Sequence, residues 1–163
     1  LELSKIESLC QMARGEQVLQ VANLLCPNNV VVSGEQTACE SFAEMAMAAG
    51  AMRVIPLAVA GAFHTPVMAP AVSRLADILG EVELRPPRIP VVSNVDAIPH
   101  DEPAEIRKLL VEQVVRPVRW EDSMRWLLDE HQVQCFYEIG PGRVLRGLLK
   151  RIARKIPCES IAA

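Results

Sequence analysis

Apolar positions along the chain follow two different rhythms, and the change between them comes near residue 60. Ser4 and Glu7 have the S-x-x-E spacing in which a hydroxyl and a carboxylate satisfy the orphan amides of a first helical turn, so a short helix is expected to about Ala13. "VLQVAN" from Val18 then reads as a strand, "CPNN" from Cys26 as a turn, and "VVVSG" from Val30 as a second strand of a hairpin-like pair. From Glu35 to Ala49 the residues Ala38, Phe42, Met45 and Ala49 share one helical face, and Gly50 is placed to supply a left-handed stop. "RVIPLAV" from Arg53 reads as a third strand. Helix, strand, strand, helix, strand is the order of a ferredoxin-like split βαβ unit without its opening strand. A missing strand leaves a sheet edge open, which implies that the chain begins inside a domain.

The later rhythm alternates strands with helices. Thr65, Pro66 and Pro70 mark a turn before a helix that carries Val72, Leu75 and Leu79 and is expected to end at Gly80. "IPVVSNV" from Ile89 is a nearly continuous apolar run, as in a strand covered on both faces. Asp101 to Val115 reads as a helix with acidic residues beside its positive end and Pro103 near its first position. Trp120 to about Leu128 is another helical stretch, "CFYEIG" from Cys135 a further buried strand, and "PGRVLRGLLKRIARK" leads into a terminal helix. This alternation argues for a parallel sheet with covered faces.

Composition narrows the class. The 163 residues are half apolar, enough for one ordinary soluble domain or two small ones. A formal charge of -3 gives no long-range attraction for nucleic acid or an anionic membrane. Five cysteines, widely spaced and without a C-x-x-C pair, read as reduced thiols packed as small hydrophobes, which fits a cytoplasmic setting. No apolar run reaches the roughly 18 residues of a membrane span, and no secretory leader is evident.

The sequence carries no G-x-S-x-G elbow, no P-loop and no zinc-site spacing around His64, His100 or His131. Two features remain. In "GAFHTPVMAPA" from Gly61, His64 follows a strand end and precedes a proline turn, the place where α/β proteins put functional groups. By position alone, a loop histidine without a role is the plainer reading. Gln113 lies three, four and seven residues after Leu110, Leu109 and Ile106, on the apolar face of its helix, so a polar group must meet it there. A structural amide bond and a role in a site satisfy that requirement equally.

Five blocks carry a resemblance. "GAFHTPVMAPAVSRL", "PVVSNVDA", "VEQVVRPVRW" and "FYEIGPGRVLRGLLKRI" resemble the C-terminal part of malonyl-CoA:acyl carrier protein transacylases. "VANLLCPNNVVVSG" is similar to that family's A-N-x-N-S-P-x-Q-V-V-I-S-G segment, and the similarity runs in order through essentially all 163 residues. The resemblance implies an α/β fold: part of an α/β-hydrolase-like acyltransferase large subdomain over residues 60–163, and a ferredoxin-like small subdomain, its first strand missing, over residues 1–59.

It also implies a chemistry. In the family a serine in a G-H-S-x-G elbow takes a malonyl group from malonyl-CoA and passes it to the phosphopantetheine thiol of acyl carrier protein, in fatty acid synthesis and without a further cofactor. His64 matches the base. The family orients that base through a main-chain carbonyl, and the matching glutamine is Gln113. The serine, an arginine for the malonyl carboxylate and an oxyanion-site glutamine would fall upstream of Leu1, so the chain by itself is expected to be inactive and poorly soluble or molten. Phe63 corresponds to an aromatic that accompanies malonyl preference, and a core phenylalanine beside a strand end is its other reading; Asn23 is the candidate substrate-binding residue of its loop, with a buried turn-stabilising amide as the plainer reading. Leu25, Cys26 and Asn28 depart from the family's asparagine, serine and glycine in that same segment. Acyl carrier protein and malonyl-CoA are the implied partners. Arg143, Arg146, Lys150 and Arg154, opposite Leu145, Leu148, Leu149, Ile152 and Ile156 on one helix, form a candidate docking stripe for an acidic carrier, a solvated face with cations near a helix C-terminus being the plainer reading. An acyltransferase domain of a polyketide synthase and a non-catalytic interaction module are the alternatives.

Overall fold

The computed structural model describes residues 1–162. In the first block, helix α1 (Leu3–Arg14) leads into strands β1 (Leu19–Cys26) and β2 (Asn29–Gly34), followed by helix α2 (Gln36–Ala48). β1 and β2 pair antiparallel from Leu19 opposite Gly34 to Cys26 opposite Asn29. The turn works because Asn28 accepts φ 60°, a left-handed backbone that asparagine tolerates better than most residues. Gly34 has a steric reason as well: a Cβ there would lie 2.1 Å from the Val18 carbonyl oxygen. Gly50, at φ 92°, ends α2 as expected.

The helical periodicity of the two helices is what builds the core. Leu9 and Cys10 of α1, Leu19 of β1, and Ala38, Phe42 and Ala46 of α2 form one buried cluster, with Ile6, Val32 and Met45 packed against it. Burial of this kind stabilises by about 1.5–3 kcal/mol for each large side chain. Burial also pushes the Cys10 thiol up to about 11, reinforced by Cys39 and Glu7, so it packs as a neutral hydrophobe. All five cysteines are free.

Two expectations for this block fail. Ser4 does not cap α1: the helix already begins at Leu3, the Lys5 and Ile6 amides bond the Glu2 carbonyl, and the Ser4 carbonyl accepts from Ser8 Oγ at 2.9 Å. A residue with helical dihedrals cannot serve as N-cap. "RVIPLAV" forms no strand either; residues 53–59 carry no regular secondary structure, and Ile55, Leu57 and Val59 are exposed. A strand exists only by pairing, and among the described residues none lies beside this segment.

The second block holds α3 (Ala69–Glu81), β3 (Val91–Val92), β4 (Pro99–His100), α4 (Pro103–Glu112), β5 (Val118–Arg119), α5 (Trp120–Asp129), β6 (Phe136–Ile139), α6 (Val144–Ile152) and β7 (Cys158–Ile161). Here the continuous covered parallel sheet is replaced by smaller pieces. β3 and β4 make an antiparallel pair, and β6 and β7 a parallel one. β5 joins β1 in parallel, through Asn23 with Val118 and Leu24 with Arg119, and so ties the two blocks into one three-stranded sheet, β2-β1-β5. α5 and α6 also pack on β1. "IPVVSNV" and "CFYEIG" are not buried on both faces: Ile89, Val91, Tyr137 and Ile139 are exposed. α3 continues through Gly80, which has no left-handed backbone and is not the stop.

α6 is shorter than its apolar period suggests, because the chain must reverse to lay β7 beside β6. Arg146 and Lys150 are exposed on it, but Arg143 is its N-cap, Leu145 is 41% exposed, and Arg154 and Ile156 lie past its end, so the proposed stripe is cut to half its length. The buried Glu138 of β6 accepts from the Leu145 and Arg146 amides at 2.9 and 3.0 Å. A carboxylate on the free amides of a first turn also meets the positive end of the helix dipole, which anchors α6 to the sheet.

Candidate active site

His64 stands between the irregular segment that ends near residue 60 and a 3-10 turn at Pro66–Met68. Thr65, fully buried, builds that junction: its Oγ1 donates to the Ala62 carbonyl at 2.7 Å and accepts from the Val67 amide at 3.3 Å. Prolines 66 and 70 preset the turn and the start of α3. Threonine followed by proline is thus a local instruction to leave His64 at a chain reversal.

The backbone of His64 is left-handed, with φ 63°, which is uncommon for a side chain of this size. Such conformations persist where the surroundings over-determine them. Three hydrogen bonds do so here. The His64 amide donates to the Val114 carbonyl at 3.1 Å, and Gln20 Nε2 donates to the His64 carbonyl at 2.8 Å. The ring Nδ1 lies 2.8 Å from the Gln113 carbonyl oxygen. A carbonyl can only accept, so Nδ1 carries a proton, and in the neutral ring the lone pair is on Nε2. A half-buried imidazole in this tautomer is oriented to take a proton at Nε2.

Gln113 therefore meets His64 through its main chain. It is the C-cap residue of α4, and its Nε2 donates to the Arg116 carbonyl at 3.1 Å, which closes the turn that presents the Gln113 and Val114 carbonyls side by side. The amide on the apolar face is satisfied locally. The other two histidines are engaged elsewhere: His100 Nε2 lies 2.9 Å from Asp96 Oδ2, and the His131 ring packs on Trp126 with centroids 4.2 Å apart.

Phe63 is half exposed, and its ring edge lies over Gly61. Asn23 sits in β1 just after a bulge, where Val21 pairs with Val32 but Asn23 with Val31. The extra residue reverses the strand's alternation, so Asn23 shares a face with Gln20, three positions earlier. A cleft of about 260 Å³, lined by Ser93, Asn94, His100, Leu109, Leu110 and Gln113 among others, opens beside the end of α4. A larger cleft of about 400 Å³ between α5 and residues 152–156 contains none of these groups.

Gln20 is the member of the arrangement that sequence reasoning missed. It is a mid-strand polar residue 44 positions from the group it touches, and no local spacing signals the contact.

This mixed α/β backbone superposes on solved structures of the acyltransferase fold. No protein-family model matches it. It is 42% identical over 145 residues to a malonyl CoA-acyl carrier protein transacylase from Bacillus subtilis, covering 89% of this chain and 45% of the relative. The corresponding protein of Staphylococcus aureus is 35% identical over 162 residues, 99% of this chain and 52% of the relative. The solved transacylase of Coxiella burnetii superposes with a TM-score of 0.95 at 37% identity, over 99% of this chain and 51% of that one. A malonyl-transacylase solved in complex with its type II polyketide-synthase acyl-carrier protein gives 0.94 at 37% identity, over 99% and 52%. The chain is thus similar to malonyl CoA-acyl carrier protein transacylases, and spans about half the length of the relatives it matches.

Proposed function

We propose that this chain supplies the base of a malonyl transacylase active site whose nucleophilic serine stands on a segment outside these 163 residues. The observation that carries the reading is the 2.8 Å contact of His64 Nδ1 with the Gln113 carbonyl, which leaves Nε2 as the proton acceptor. In the first half-reaction His64 Nε2 takes the serine hydroxyl proton as the oxygen attacks the malonyl thioester carbon. The proton then goes to the departing sulfur of coenzyme A. In the second half, Nε2 takes the proton of the phosphopantetheine thiol while that sulfur attacks the seryl ester, and returns it to the serine oxygen as the ester breaks. Each half-reaction forms one acyl bond and breaks one, and needs no resident cofactor.

The test is loading. The complete protein that carries this chain, given malonyl-CoA labelled in the acyl group, should hold the label as a hydroxylamine-labile ester and release it to carrier protein bearing phosphopantetheine. Absence of a covalent adduct with intact binding of malonyl-CoA would exclude the reading. Transfer to a carrier protein is common to fatty acid and type II polyketide systems, so the same assay with carriers of both kinds assigns the pathway.

A role for Phe63 in acyl choice is supported by its half exposure next to His64 in the chain. Replacing it by serine should lower the malonyl to methylmalonyl ratio by about tenfold, the lower end of what one methyl in an apolar pocket is worth. An unchanged ratio in competition assays removes Phe63 from the acyl pocket. The exposed Arg146 and Lys150 of α6 are the part of the basic stripe left to meet an acidic carrier protein.

A further inference from the structure

We infer that Gln20 is a positioning residue for His64, holding the base from across the junction of the two blocks; the inference rests on the proposed role of His64. Of the three bonds that hold His64 in its left-handed conformation, two end on main-chain carbonyls at the end of α4. The third is the side chain of Gln20, on β1, at 2.8 Å from the His64 carbonyl. Among the described residues it is the one hydrogen bond that ends on the peptide between His64 and Thr65.

That peptide decides where the imidazole points. With the His64 amide and the Thr65 turn both tethered, rotation of the intervening carbonyl is the remaining way for a strained left-handed residue to relax. Relaxation toward negative φ swings the Cβ, and the ring leaves the Gln113 carbonyl that sets its tautomer. Gln20 opposes this with a donor aimed at that carbonyl, and it is half-buried, so water competes with it weakly. Within its own block β1 is held by β2, with α1 and α2 packed behind it, and β5 joins it to the block that carries α4. The base is thereby clamped between two elements, one contributed by each block.

Three variants of the complete protein test this. Gln20→Met keeps length and removes the donor, Gln20→Glu leaves only acceptors near neutral pH, and Gln20→Lys keeps a donor on a similar stem. Gln20→Met should lower kcat for malonyl transfer about 3–10-fold, the effect of one hydrogen bond, with KM for malonyl-CoA unchanged. Gln20→Glu should fall further and Gln20→Lys should recover part of the loss. In protein labelled with ¹⁵N-histidine, the His64 Nδ1 and Nε2 resonances should move toward tautomer averaging in the Met and Glu variants. Unchanged kcat with unmoved His64 resonances overturns the inference. So does an equal loss in all three variants accompanied by a lowered Tm, which is the signature of a packing residue. His64→Ala separates this from the proposed function: if that variant keeps wild-type transfer, the assignment of the base fails, whereas the resonances still report whether Gln20 holds the ring.

Discussion

His64→Ala in the complete protein is expected to slow both acylation by malonyl-CoA and transfer to carrier protein by about 10²–10⁴-fold, or about 3–5 kcal/mol of barrier. Binding of malonyl-CoA should change little. The reason is geometric: the ring is held at Nδ1 by a carbonyl, so its loss would remove the Nε2 proton acceptor on which the proposed mechanism rests. His100 and His131 cannot substitute, since the first faces Asp96 and the second packs on Trp126. Single-turnover loading followed by a carrier-protein chase resolves the two steps. A wild-type rate in either step would remove His64 from that step.

Expressed by itself, the 163-residue chain is expected to show no malonyl transfer and to unfold without a sharp transition. Its buried apolar cluster draws on α1, β1 and α2 of the first block, whereas the second block contributes Val95, Ala97, Leu109, Met124 and Leu149 to no part of it. Large apolar side chains stay open instead: Met52 is 97% exposed, and Ile89 and Ile139 are each 75% exposed. Exposed apolar area on this scale, beside unpaired strand edges, favours association over a unique packed state. Strong binding of a hydrophobic dye, a broad thermal transition and concentration-dependent association are the expected readings. A cooperative two-state transition in a monomer with measurable transfer would refute this.

What could be read along the chain was what neighbours in sequence decide. The hairpin of β1 and β2, the face of α2, the stop at Gly50 and the reversal at Thr65–Pro66 all follow from periodicity and turn chemistry within a few residues. His64 stood out for the same local reason, as an imidazole at a proline turn. Gln113 was legible only in part, because helical spacing places a side chain but says nothing of a carbonyl at the helix end.

The tertiary structure decided the rest. A strand needs a partner, so residues 53–59 and "IPVVSNV" lost length where none lay alongside, while β5 and β7, too short to show a pattern, became strands because β1 and β6 offered them an edge. The Nδ1 proton of His64 was fixed by an acceptor 49 positions away, and its backbone by a donor 44 positions away. Sequence alone determined that a histidine would sit at a chain reversal; only the fold determined which ring nitrogen is tied to a carbonyl and which is left free of it, because a tautomer depends on the group brought opposite it in space.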